Sequence, residues 1–214
     1  EEMVASQVAE MTRMQDEVIT GIANLIESRD GSTGLHVKNT QNYVQILTKA
    51  LREKGMYPDI LDHNYELNTV KASVLHDIGK IKTPDAILLK PGRLTDEEFE
   101  VMKQHTVAGC EIIDRIIGNV EHEEYVDIAR KIARYHHERW DGTGYPDGLS
   151  GEEIPLCARI MALADVFDAL YQDRCYKKAI RPASKVFEII KENSGSQFDP
   201  NLTEIFLELQ RDIT

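Results

Sequence analysis

The pair His76-Asp77, followed at once by Ile78-Gly79-Lys80, is the part of this 214-residue chain best suited to chemistry. It sets an imidazole and a carboxylate side by side, with a cation three residues on. Further candidate ligands are His36, His105, His136-His137 and Asp165. Imidazoles and carboxylates together suit hard or borderline divalent ions. Asp165 stands between Ala164 and Val166 in an apolar stretch, where a carboxylate is costly unless paired or bound to metal. Asp168, three positions on along the same helical face, is placed to fix a histidine or a water. This set matches what two ions need when some ligands are shared. Asp77, with two oxygens, is the natural bridge, and ions roughly 3.5–4 Å apart would share an activated water. Lys80 is a poor ligand beside such a cluster but suits a phosphate. His63 and His122 lie in polar stretches and carry no assigned role.

Helices must position these groups. Over 2–28, Val4, Val8, Met11, Val18, Ile22 and Leu25 recur at alternating spacings of four and three, with Gln15 in the missing step. That seam fits either a helix lying on its own domain or a parallel coiled coil that transmits a signal. Further helices are expected over 35–54 and about 66–77, the latter ending in Val74-Leu75-His76-Asp77. Gly79, Pro84, Pro91 and Gly92 keep 79–94 irregular. Thr95-Asp96-Glu97-Glu98 is a capping box that starts a helix carrying His105 to about Ile117. A helix over 124–138 ends in His136-His137-Glu138, and Asp141–Gly148 cannot be helical. Pro155 opens the helix that bears Asp165 and Asp168. Two last helices cover about 182–193 and 200–210. No segment alternates with strand period for long, so the chain reads as all-α.

Hydrophobic residues make up 42% of the chain, enough for a real core. The net charge of -12, from 25 basic and 37 acidic residues, argues against a general nucleic-acid binder. It leaves room for a small anionic ligand, because metals and a few cations reverse the field inside a cleft. Cys110, Cys157 and Cys175 form neither a zinc knuckle nor a disulfide framework, which fits a reducing compartment. No apolar run reaches the ~18 residues of a membrane span, and no signal peptide is visible. The chain opens on Glu1 and reads as a fragment with an upstream part removed.

The segment His76–Lys80 resembles the defining pair of the HD phosphohydrolase superfamily. The segment from His136 through Gly144-Tyr145-Pro146 resembles the hallmark of its HD-GYP subgroup. Lys90–Thr95, His105–Gly109, Ile154–Leu156, Asp165–Leu170, Arg174–Lys177 and Phe198–Pro200 support the likeness, which covers about residues 20–210. It implies an all-α HD-domain bundle of about seven or more helices, with a signalling or dimerisation helix over 1–28 and a catalytic domain over 29–214. It also implies hydrolysis of cyclic di-GMP, a bacterial second messenger, to linear pGpG and more slowly to GMP, in the cytoplasm. Two ions, iron or manganese, are expected: one on His36, His76, Asp77 and Asp165, the other on Asp77, His105, His136 and His137. Lys80, Arg174 and Lys177 resemble the phosphate contacts, and Asp168 would orient the attacking water or a ligand. The Gly144-Tyr145-Pro146 loop resembles a segment that meets diguanylate cyclase domains. A homodimer through the first helix and an upstream sensor or receiver domain complete the expectation. Two rivals remain: a dNTP or ppGpp phosphohydrolase, which the Gly-Tyr-Pro loop argues against, and a sensor that binds cyclic di-GMP with little turnover. One departure stands out. Members that hold a third ion carry glutamate four residues before the histidine matched by His36, and here that residue is Ser32. Two ions are therefore expected, although Glu27 and Asp30 lie nearby and could restore a third site.

Overall fold

The computed structural model describes residues 2–30, 35–118, 123–172 and 179–214. Among these the structure is helical throughout, with no strand and only an isolated bridge between Ser194 and Phe198. The helices are α1 (Glu2–Glu27), α2 (His36–Glu53), α3 (His63–Ala72), α4 (Asp85–Leu88) and α5 (Asp96–Ile117). Then come α6 (Glu123–Tyr135), α7 (Leu156–Tyr171), α8 (Ala183–Glu192), α9 (Pro200–Glu208) and α10 (Gln210–Ile213). No described helix is long and apolar enough to cross a membrane.

The core forms around α7, which is buried almost without a break from Leu156 to Ala164. Its apolar residues point in every direction, so it must be surrounded. Leu47 and Leu51 of α2 are fully buried in the same core. Nearer its C-terminus Phe167 meets Tyr43 of α2, Phe187 and Phe206 edge-on or tilted, with ring centroids 5.0–5.4 Å away. The buried Arg159 of α7 pairs with Asp199 at 2.6 Å, and Asp199 also accepts from the Asn201 backbone N–H at 2.8 Å to start α9. One carboxylate thus ends a loop, caps a helix and anchors both to the central helix. Thr95 caps α5 through the expected box.

Three boundaries differ from the sequence reading, and each bears on the site. The third helix stops at Ala72 and tightens into a 3-10 turn, Ser73–Leu75, so His76 and Asp77 lie beyond it. The segment after them is a second 3-10 helix, Ile78–Lys82, where an irregular loop was expected. The sixth helix ends at Tyr135, which leaves His136, His137 and Glu138 at the start of the following loop. Packing decides the second case. A Cβ on Gly79 would lie 1.8 Å from the His105 carbonyl oxygen, so only glycine lets this turn press against α5. Helix α1 packs through Ala23 and Ile26, while Met11, Val18, Ile22 and Leu25 stay exposed along the seam.

Candidate metal centre

Five imidazoles and two carboxylates from five places in the chain converge in one cluster. His36 opens α2, His76 and Asp77 follow the 3-10 turn, and His105 comes from α5. His136 and His137 follow α6, and Asp165 comes from α7. Donor atoms of Asp77, His105, His136 and His137 lie within 4.8 Å of one another, as do those of His36, His76 and Asp165. A third grouping joins Glu27, His36 and Asp77 by the same measure.

Local hydrogen bonds settle which nitrogen faces the centre for His36, His76, His105 and His136. The Nδ1 atoms of His76, His105 and His136 lie 2.9, 2.7 and 2.9 Å from the carbonyl oxygens of Ser73, Met102 and Ile132. A carbonyl only accepts, so each Nδ1 carries the proton and each Nε2 presents a lone pair. His36 is held the same way by a carboxylate: its Nδ1–H donates to Asp168 Oδ2 at 2.6 Å, and Asn39 donates to the other oxygen at 3.1 Å. Asp168 therefore lies behind His36, with both oxygens engaged. Of its two expected placements, against a histidine or against a water, the histidine is the one this geometry contains.

The lone pairs meet at Asp77. Its Oδ1 is 3.3 Å from His105 Nε2 and 3.8 Å from His136 Nε2, while its Oδ2 is 3.3 Å from His76 Nε2 and 2.6 Å from Lys80 Nζ. Across the cleft His36 Nε2 is 3.3 Å from Asp165 and 3.9 Å from Glu27. The Nε2 atoms of His76, His105 and His136 and Oδ1 of Asp77 are buried and lack a hydrogen-bond partner in the structure. Several acceptors turned toward one point, with no hydrogen to share, are what divalent cations satisfy. The donor set therefore fits a metal centre, with one oxygen of Asp77 turned to each half.

The electrostatics agree. Burial, with the His137 charge adding to it, holds His136 well below its ordinary value, and burial with the His105 charge takes His137 down to about 4. These rings are neutral at neutral pH. For His36, burial acts downward but hydrogen bonds to Asp165 and Asp168 outweigh it, raising it to about 10. For Asp77, burial acts upward and is overcome by Lys80 and His76, which hold it well below the usual carboxylate range. Asp165 is likewise depressed, burial again losing to His36.

The loop of Gly144, Tyr145 and Pro146 forms one wall. Tyr145 stacks on His137 with centroids 4.8 Å apart and meets Phe99 edge-on at 5.9 Å. A Cβ on Gly144 would lie 2.4 Å from the Arg139 nitrogen, so the chain can pass there only as glycine. The buried Glu138 holds the loop, accepting from the backbone N–H of Asp147, Gly148 and Leu149 at 2.8, 3.1 and 3.1 Å. Sequence reasoning gave Glu138, Asn39 and Arg29 no role. Glu138 alone left a signal, as an acid directly after two candidate ligands. Arg174 and Lys177, expected at the phosphates, lie outside the described residues, as does Ser32. His63 is exposed, away from the cluster.

Residues 7–202 match the HD domain family. The chain belongs to that family, in its HD-GYP group. It is 46% identical to a cyclic di-GMP phosphodiesterase of Vibrio cholerae, over 94% of this chain and 41% of the relative. It is 41% identical to a cyclic di-GMP phosphodiesterase of Thermotoga maritima, over 92% of this chain and 50% of that one. The chain thus spans half or less of these relatives' length. Its fold is also that of an HDG"Y"P protein from Bdellovibrio bacteriovorus, with a TM-score of 0.60 at 17% identity, covering 94% of this chain and 64% of the other. This HD-GYP domain carries its metal-type cluster where α2, α5 and α7 meet the turn after α3.

Proposed function

We propose that this HD-GYP domain is a metal-dependent phosphodiesterase that hydrolyses cyclic di-GMP to linear pGpG. The observation that carries the reading is Asp77, which faces two groups of histidine nitrogens with its two oxygens while Lys80 stands beside it. His36, His76, Asp77 and Asp165 would hold one ion, and Asp77, His105, His136 and His137 the other. Histidine and carboxylate donors suit iron or manganese. When bound, the pair of ions activates a water and neutralises charge on the phosphate.

The chain's own residues supply the rest. Asp168 and the carbonyls behind the histidines keep the Nε2 atoms of His36, His76, His105 and His136 aimed inward. Lys80, held 2.6 Å from Asp77 at the edge of the cluster, would offer its ammonium to the phosphate. Its attraction grows as charge builds on the phosphate oxygens, which favours the transition state over the bound substrate. Tyr145, stacked on His137, lines one side of the cluster. Glu27 brings a buried carboxylate to His36 and Asp77, so the argument from Ser32 against a third ion no longer stands alone.

Residues 1–28 act as a signalling and dimerisation helix joined to the catalytic unit of 29–214. The exposed seam of Met11, Val18, Ile22 and Leu25 suits a parallel pairing of two copies beneath an upstream sensor or receiver domain. Contact with a diguanylate cyclase domain through the Gly-Tyr-Pro loop would fall to its exposed Asp141, Thr143 and Asp147, since Tyr145 is stacked inward. The substrate places the chain in the bacterial cytoplasm.

Elemental analysis of anaerobically purified protein, coupled to chromatography of products from cyclic di-GMP, tests this reading. The expected result is at least two ions per chain and pGpG as product. Cyclic di-GMP retained by the loaded protein but returned intact would favour the sensor instead.

A further inference from the structure

Helix α1 ends at Glu27, and the short turn Ser28–Asp30 that follows carries Arg29. Its side chain crosses to a segment more than fifty residues on. Nη1 donates to the carbonyl oxygens of Lys80 and Ile81 at 3.2 Å each. Nη2 donates to the Thr83 carbonyl at 3.3 Å and to Asp85 Oδ1 at 2.6 Å. Most of these acceptors stand at the C-terminal end of the 3-10 helix Ile78–Lys82, where carbonyls run short of intrahelical N–H partners; the Lys80 carbonyl takes the Thr83 N–H at 3.0 Å and has its second lone pair left for Arg29. A cation there also meets the negative end of the helix.

That turn has one other fixed side. Gly79 is pressed against α5 with no room for a Cβ. Lys80 stands between the glycine contact and the arginine contact. We propose that Arg29 is a positioning residue of the reaction: it locks the turn that aims Lys80 at the substrate phosphate. This rests on the phosphate role of Lys80 given above. A guanidinium suits the task because its planar fork reaches several acceptors at once, whereas the ammonium of lysine is a point charge on a flexible stem. The residue lies two positions after Glu27, so the end of α1 reaches the centre both through a carboxylate and through this clamp.

Arg29→Ala and Arg29→Lys, each made alone and in a Lys80→Ala background, test the proposal. Metal content, kcat and KM for cyclic di-GMP are measured on the metal-loaded chain. The single variants should keep the wild-type metal content and lose about 10–100-fold in kcat/KM, the usual loss when an orienting partner is removed. Most of the loss should fall on kcat, because the contact strengthens in the transition state. Guanidinium ion added to R29A should restore part of it. In the K80A background R29A should change turnover by no more than about twofold, the ordinary error of additivity. An equal loss in both backgrounds, or loss of metal in R29A and R29K together, would overturn the proposal and leave Arg29 a structural clamp. Wild-type turnover in K80A would remove the Lys80 reading itself, a separate failure that the K80A arm reports directly. If R29A does not fold, R29K carries the same comparison.

Discussion

Replacing Asp168 by Asn asks whether this carboxylate serves the ligand sphere or the reaction. Both of its oxygens are engaged, one by His36 Nδ1–H at 2.6 Å and one by Asn39 at 3.1 Å, and the residue is 1% exposed. Asparagine has one oxygen to offer. Turned toward His36, its NH2 group faces the NH2 of Asn39, donor against donor. Turned the other way, it faces Nδ1 and drives the ring proton onto Nε2, the atom that faces Asp165. Either arrangement weakens His36 as a ligand. Loss of such a partner costs about 10–100-fold in metal affinity, or about 1.4–2.7 kcal/mol at 1.36 kcal/mol per decade. The assay is metal titration of chelator-stripped protein, with ion content and turnover read at each point. D168N should fill one ion later than wild type and recover most of its turnover in excess metal. A D168N protein with full metal content and persistently low turnover would refute the reasoning, because Asp168 would then act on the reacting water.

Further outcomes follow from the same geometry. Asp77→Ala should lose both ions and nearly all turnover; full metal content in D77A, read by elemental analysis, would end the bridging assignment. Gly79→Ala should cost about 3 kcal/mol or prevent folding, since its Cβ would meet a backbone oxygen of α5. Gly21→Ala, with open space around it in a helix interior, should stabilise by about 0.5–1 kcal/mol, and urea melts compare the two. Glu138→Gln keeps an oxygen for two of the three backbone donors but sets an NH2 against the third, so about 1–3 kcal/mol of stability should go. In metal-stripped protein, His137 has a folded pKa of about 4, below the ~6.5 of an unfolded histidine. Its contribution is present above pH 6.5 and lost as pH falls toward 4. His36, raised to about 10, contributes below pH 6.5 and loses that contribution as pH rises through 10. The thermal midpoint of the stripped chain should therefore fall on both sides of near-neutral pH, and a profile flat between pH 4 and 6.5 would contradict the burial of His137.

Much of this molecule was legible because its signals are local. The Thr95 capping box, the apolar run of α7 and the seam of α1 each lie within a few turns of chain, and helices form there. The ligand types were legible for a related reason. A carboxylate at Asp165 is out of place in an apolar stretch, and a double histidine before a glycine-rich loop has few other uses. The third helix was expected to run to Asp77, since its last turns carry helix-compatible residues, but the chain tightens at Ser73–Leu75 instead. The 3-10 helix that follows was not legible, because the close approach of Gly79 to the His105 carbonyl of α5 that accompanies it is a tertiary contact.

The sequence by itself determined the set of donors, the helical class and the family to which the chain belongs. The tertiary structure decided which nitrogen of His36, His76, His105 and His136 faces inward, that Asp77 turns one oxygen to each half of the cluster, and that Asp168 stands behind His36. It also decided that Glu138 ties the Gly-Tyr-Pro loop and that Arg29 clasps the turn of Lys80. Each of those depends on groups brought together from separate helices and turns. Residue type and spacing fix what an atom can donate or accept, but only the packing of the helices fixes what stands opposite it. The His76-Asp77 pair becomes a centre only because α2, α5, α7 and the loop after α6 place their lone pairs around it.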